Sequence, residues 1–208
     1  MKTEYQDTRH QLLVTGRAMM QARGFTAVGL SELLAAAKVP KGSFYHYFKS
    51  KEQFGVELLH DYFDDYLAQL ESQLAHAAGD GRSRLLGYFA QWLSDASGGG
   101  GQCDNSDGRC EVSCLVVKLS AEVADLSESM RAALAAGSGR IIAALATAID
   151  AGRADGSLAA VDVGARQQAE SLYGLWLGAR LLTKLRREPS ALEGAMRLTE
   201  LQLAAPVR

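Results

Sequence analysis

The stretch of this chain richest in chemistry is Lys41-Gly42-Ser43-Phe44-Tyr45-His46-Tyr47-Phe48, with Lys49 and Lys51 just beyond it. Lys41, Lys49 and Lys51 supply cations of the kind a phosphate backbone attracts. Gly42 lets a foreign backbone approach closely. Ser43, Tyr45, His46 and Tyr47 carry donors and acceptors suited to base edges or to the sugar-phosphate rail. Tyr45, His46 and Tyr47 are consecutive, so a helix cannot turn all three inward. Phe44 and Phe48, four apart, share one face and are expected to anchor that helix to a core.

The second chemical group is made of thiols. The three cysteines, Cys103, Cys110 and Cys114, fall within a dozen positions. Their odd number argues against a disulfide framework. A zinc site built on them lacks a fourth ligand, because His10, His46, His60 and His76 all precede the segment. Thiol reactivity remains: the thiolate is the reactive form, and a helix N-terminus favours it. Cys114 stands where a helix is expected to begin. Cys103 and Cys110 flank or occupy a glycine-rich stretch, 97–108, and are either resolving thiols for Cys114 or idle. Tyr88, Trp92, Met130, Tyr173 and Trp176 either line a small-molecule pocket between helices or fill a core.

The elements that must position these groups are all helical. Alanine and leucine abound, there are only 3 prolines, and no segment alternates as a strand would. Apolar spacing predicts about nine helices. The first spans 8–23 and ends at Gly24. The second spans 30–37. The third follows Pro40, with the proline in its first turn. A fourth and long helix, capped by Ser50, reaches about residue 77. Further helices are expected over 82–94, 113–124, 127–155, 163–187 and 190–203. Three short helices with a tight turn before the third make a helix-turn-helix. The expected division is a DNA-binding domain over 1–52 and a regulatory and dimerisation domain over 53–208. Ala169, Leu172, Leu175, Ala179 and Leu182 are expected to form a face packing against a second copy.

Bulk properties agree. Residues 1–51 hold eight Lys/Arg against three Asp/Glu, a balance of +5, so the overall −2 leaves −7 to the remainder. A basic head on an acidic body fits a protein that meets a polyanion with one end. No uninterrupted apolar run reaches the roughly 18 residues of a membrane span, and residues 1–9 lack the apolar core of a signal peptide. The expectation is a cytoplasmic protein without membrane contact. There is no phosphate-binding glycine loop, nucleophile elbow or His/carboxylate cluster, so neither enzymatic activity nor a cofactor or metal is expected.

Gly24-Phe25-Thr26 followed by the run Val39 to Glu52 resembles the signature of TetR family repressors, over roughly the first 55 residues and without gaps. The stretches Gly29–Leu34, Ser113–Arg131 and Leu172–Lys184 extend the resemblance to the NemR-type branch of that family. The family resemblance implies a homodimer that places two third helices in successive major grooves of a palindromic double-stranded operator. The branch resemblance implies derepression by a small electrophile or oxidant, with the sensing cysteine falling on Cys114 and a partner lysine on Lys184. Lys184 lies on an otherwise apolar stretch with Leu175, Trp176, Leu181 and Leu182; there it either favours a nearby thiolate or simply snorkels to water. A repressor with a non-covalent inducer is the alternative.

Overall fold

The structure is a computed structural model that describes the backbone of residues 2–97 and 112–206 and the side chains of residues 8–94 and 115–206. Among the described residues the chain is all-α. Its helices are α1 (Lys2–Arg23), α2 (Leu30–Ala37), α3 (Lys41–Tyr47), α4 (Lys51–His76), α5 (Gly81–Ser97), α6 (Val112–Val123), α7 (Glu128–Ala154), α8 (Ala165–Arg186) and α9 (Ser190–Gln202). The expected all-α class and helix number hold. The largest boundary difference is at α1, which begins six residues earlier than the apolar spacing predicts because its first turns carry little apolar signal.

The chain forms two compact units, one of residues 1–64 and 114–137, the other of 65–113 and 138–208. The first unit thus holds more than the three-helix head. The start of α4, most of α6 and the start of α7 belong with it.

In the first unit local chemistry sets each helix end. Gly24 ends α1 at φ +92°, a left-handed conformation open to glycine, and its N–H donates to the Met20 carbonyl at 2.7 Å. Lys38 closes α2 in the left-handed region at φ +54°. The Lys38 N–H donates to Ala35 O and the Val39 N–H to Leu34 O, the paired bonds of a Schellman close. Pro40 is the N-cap of α3 rather than its first helical residue; its carbonyl accepts from the Ser43 and Phe44 amides. Ser50 does cap α4, accepting from the Gln53 N–H at 3.0 Å, while Gln53 Oε1 accepts from the Lys49 N–H at 2.9 Å. Leu12, Leu13, Met20, Val28, Leu33, Phe44, Phe48 and Phe54 form a core in which none is more than 1% exposed. Arg17 ties α1 to α4 through Asp61 at 2.9 Å and the face of the Tyr62 ring.

In the second unit, Phe89 stacks on Trp176 with ring centroids 5.2 Å apart, and Trp92 meets the same indole edge-on at 5.9 Å. The Trp176 indole N–H donates to Thr199 Oγ1 at 2.8 Å, which pins α8 to α9. Gln168 Nε2 donates to the Gln202 carbonyl and Arg82 Nε to the Leu203 carbonyl, closing the C-terminal end of α9.

Three of the five residues of the expected dimer face are corrected by this packing, while Leu182 stays exposed and Leu175 partly so. Ala169, Leu172 and Ala179 are buried within their own chain, because α8 turns them toward its own core. The apolar side chains α8 and α9 leave exposed are Leu181, Leu182, Leu185, Leu198 and Leu201. By length and hydropathy α7 is long and apolar enough to cross a membrane. Met130, Leu134, Ile141, Leu145 and Ile149 are nonetheless buried along it, as in a core helix.

Candidate functional site

Helix α3 is seven residues long and divides its side chains sharply. Phe44 and Phe48 are fully buried and pack on Phe54, with centroids 5.6 and 4.9 Å away. That aromatic wedge fixes the rotation of α3 about its axis. The opposite side then carries Tyr45, which is 50% exposed, together with exposed Lys41, Gly42 and His46. Ser43 and Tyr47 lie at the margin, partly covered. A half-exposed tyrosine, with an exposed lysine and imidazole on the same short helix and the other face packed in the core, has the chemistry to meet a polar, anionic partner.

The positive balance of the head is not all available to such a partner. Arg9 pairs with Glu57 at 2.8 Å, Arg17 with Asp61 at 2.9 Å and Arg23 with Glu32 at 2.7 Å. Lys38, Lys41 and Lys49 are exposed. Lys51 is half-buried: its Nζ donates to the Phe25 carbonyl at 2.6 Å and lies 4.4 Å from the Phe25 ring centroid. Burial lowers the Lys51 pKa, with the Glu122 carboxylate opposing that effect. A phosphate reaching Lys51 would therefore compete with an internal bond, which was not legible from its position in the sequence.

Two carboxylates that the sequence reading assigned no role fasten this region. Glu122, near the end of α6, accepts from the Phe25 N–H at 2.9 Å, from the Thr26 N–H at 2.6 Å and from the Thr26 hydroxyl. Burial raises the Glu122 pKa, but the hydrogen bonds from Thr26 and Phe25, with the Lys118 ammonium, outweigh it and hold the carboxyl below the usual glutamate range. Glu52, in the first turn of α4, accepts from the hydroxyls of Ser127 at 2.5 Å and Ser129 at 2.8 Å. Those bonds lower its pKa. No local sequence signal marks either residue, since their partners lie 75 to 97 positions away.

The thiol group is only partly described. Cys103 and Cys110 lie outside the described residues. Cys114 is the third residue of α6, consistent with a helix start, but its side chain is outside them too. Lys184 is exposed near the end of α8, in the second unit, whereas Cys114 is counted with the first. Of the five aromatic and methionine residues considered for a pocket, Tyr88, Trp92, Tyr173 and Trp176 gather in the second unit. Met130 belongs to the first, where its Sδ would lie 2.8 Å from a Cβ at Gly55. In the second unit the Tyr66 and Tyr88 hydroxyls bond to each other. Tyr173 is buried, with its ring edge-on to Trp92.

Comparison with known proteins decides the class. The pattern of bacterial regulatory proteins of the tetR family matches residues 12–58, and that of the tetracyclin repressor-like C-terminal domain matches residues 102–199. The chain is 44% identical to the HTH-type transcriptional repressor NemR of Escherichia coli strain K12, over 96% of each chain. This chain belongs to the TetR family. As a TetR-family member it is a DNA-binding transcriptional repressor of the helix-turn-helix type. The crystal structure of the reduced form of E. coli NemR superposes with a TM-score of 0.88, covering 97% of this chain and all of that one. A second TetR relative, the repressor DhaR of Mycobacterium sp. strain GP1, is 30% identical over 89% of this chain and 86% of its own length. TetR-family repressors bind operator DNA and act as dimers.

Proposed function

We propose that this repressor is a homodimer that holds a palindromic operator through α3 and releases it when a small electrophile or oxidant modifies Cys114. Residues 1–52 bind DNA, and 53–208 regulate and dimerise. The observation that carries the DNA half is the division of α3, with Phe44 and Phe48 buried and Tyr45 half exposed. Lys41 and Lys49 neutralise phosphates, Gly42 allows close approach, and Ser43, Tyr45, His46 and Tyr47 meet bases or the sugar-phosphate rail. The exposed leucines of α8 and α9 are the face a second copy covers.

Two features support the sensing half. Cys114 lies in the first turn of α6, where the helix dipole favours a thiolate. The NemR relative solved in a reduced form supports a redox-dependent state. The Cys114 thiolate adds to an activated alkene, whose enolate then takes a proton from water, or takes chlorine from hypochlorous acid to give a sulfenyl chloride and hydroxide; water then displaces chloride, leaving a sulfenic acid, chloride and a proton. Both changes add bulk and polarity at the start of α6, and the second is reversed by thiols. By the branch resemblance Lys184 is the partner lysine of the sensing thiol, and Cys103 and Cys110 resolve the oxidised sulfur. A hundredfold loss of operator affinity requires about 2.7 kcal/mol of coupling.

The test is an operator-binding titration with and without N-ethylmaleimide or hypochlorite. Wild-type protein is expected to lose operator affinity and Cys114→Ser to keep it; a fully sensitive Cys114→Ser removes Cys114 from the mechanism. A second reading, a non-covalent inducer, is favoured by the gathering of Tyr88, Trp92, Tyr173 and Trp176 in the second unit. Recovery of operator binding on adding dithiothreitol after hypochlorite distinguishes the two.

A further inference from the structure

We propose that Glu122 is the positioning residue through which α6 sets the pose of the DNA-reading head. Its carboxylate grips the turn between α1 and α2, and the recognition helix is carried by that turn's neighbours.

The geometry is specific. Gly24, Phe25 and Thr26 turn the chain between α1 and α2, and both consecutive amides, Phe25 N–H and Thr26 N–H, point at one carboxylate. The Thr26 hydroxyl adds a third donor. Gly24 makes the seat possible, because a Cβ there would lie 2.5 Å from Glu122 Oε2. From the other side the Lys51 ammonium, at the first residue of α4, donates to the Phe25 carbonyl. One peptide turn is thus held by a carboxylate from α6 and a cation from α4. A turn with its amides unpaired still forms, since Gly24 and the Met20 bond end α1 without help. What Glu122 adds is a fixed relation between α6 and the head. Glu52 makes the reciprocal fastening, from the start of α4 to Ser127, just before α7, and Ser129, in its first turn. A shift of α6 would pull on the head through charge-assisted hydrogen bonds, which are short and directional.

Cys114 and Glu122 sit eight residues apart on α6, about 12 Å along a helix axis. If Cys114 is the trigger, as proposed above, α6 is the rod between trigger and grip. That extension rests on the sensing proposal; the positioning role does not.

The test uses full-length protein and the variants Glu122→Ala, Glu122→Gln, Thr26→Val and Thr26→Ser. Operator affinity, its salt dependence and amide hydrogen exchange at Phe25 and Thr26 are measured at a temperature where each variant is folded. Glu122→Ala is expected to weaken operator binding about tenfold, the scale of losing charge-assisted bonds, with an unchanged salt slope because Glu122 meets no phosphate. Both amides should exchange faster. Glu122→Gln and Thr26→Val should fall between, and Thr26→Ser should restore wild-type binding. If Glu122→Ala does not fold, the Gln and Val variants carry the test. Wild-type affinity in every folded variant, with lowered thermal stability alone, overturns the proposal. The fold-change on N-ethylmaleimide treatment separates the two readings. An unresponsive wild type together with a weakened Glu122→Ala defeats the Cys114 trigger and leaves Glu122 standing. A responsive wild type with Glu122→Ala unaltered in affinity and in response defeats Glu122 alone.

Discussion

In the first unit α3 shares its rings between interior and solvent, with Phe44 and Phe48 buried and Tyr45 half exposed. In the second unit Tyr88, Phe89, Trp92, Tyr173 and Trp176 are all buried. The difference lies in what each set of rings is for. Two buried phenylalanines orient a short helix, so that its remaining tyrosine and histidine are presented in one direction. Five buried rings in the second unit hold α5, α8 and α9 together, and the phenols among them bring polar groups into a low-dielectric interior. A ring substitution therefore reports on its unit: at the exposed edge of α3 it should change binding and spare stability, and in the second unit the reverse.

The largest expected effects come from the buried rings of both units. Trp176→Ala and Phe44→Ala should each cost about 3–5 kcal/mol, the range for truncating a large core aromatic. Denaturant unfolding measures this. Trp176→Ala also frees the Thr199 hydroxyl from the indole N–H. A loss under 1 kcal/mol at Trp176 would mean that the second unit is not organised around that stack.

High pH separates the phenols of the second unit. Burial, with the nearby Tyr66 and Tyr173, raises the Tyr88 pKa well above its usual value, and burial pushes Tyr173 up to about 12. Both groups keep their protons in the folded chain while the unfolded chain loses them from about pH 10. Their contribution to stability is full below that point and declines as the pH climbs toward the folded values. Tyr173 alone should account for about 2–3 kcal/mol across that window. Unfolding titrations at pH 9 and 11 test this for wild type and Tyr173→Phe; equal pH sensitivity of the two would refute it.

Next in size is the exposed edge of α3. Tyr45→Ala should weaken operator binding by about 1–3 kcal/mol if the ring reads a base, while stability changes by less than about 0.5 kcal/mol. Lys41→Ala should weaken binding to all sequences and reduce the salt slope by about 0.9 for one phosphate contact. Lys51→Ala is the informative contrast. Its ammonium is already bonded to Phe25, so it should destabilise the turn and change the salt slope less than Lys41→Ala does. A full unit of slope lost at Lys51 would show that the side chain leaves Phe25 when DNA arrives.

Much of this was legible in the sequence because it is local. Gly24, Pro40 and Ser50 mark helix ends through their own backbone or side-chain chemistry, and the four-residue spacing of Phe44 and Phe48 gave the rotation of α3. Three residues of the expected dimer face turned inward for a physical reason. Ala169, Leu172 and Ala179 have helical spacing, but periodicity does not say which of two apolar partners, self or second copy, a stripe will meet. Glu122 and Glu52 were illegible because their partners are distant in sequence, and a lone glutamate on a helix resembles a solvated one. The charge of Lys51 suggests a phosphate ligand, but charge alone does not show its bond to the Phe25 carbonyl that the α1–α2 turn brings in.

The smallest expected effect, and the finest probe of the second unit, is the pair Tyr66 and Tyr88. Their hydroxyls bond to each other within the aromatic cluster. Tyr66→Phe or Tyr88→Phe alone leaves the other hydroxyl without this partner in a buried setting, and each should cost about 1 kcal/mol. Removing both hydroxyls removes the bond together with both of its polar ends, so the double variant should be less destabilised than the two single losses combined. Exposed rings would give no such coupling, because water replaces a lost partner. Strictly additive losses in the double-mutant cycle would therefore place water beside these phenols and open the second unit's core to solvent.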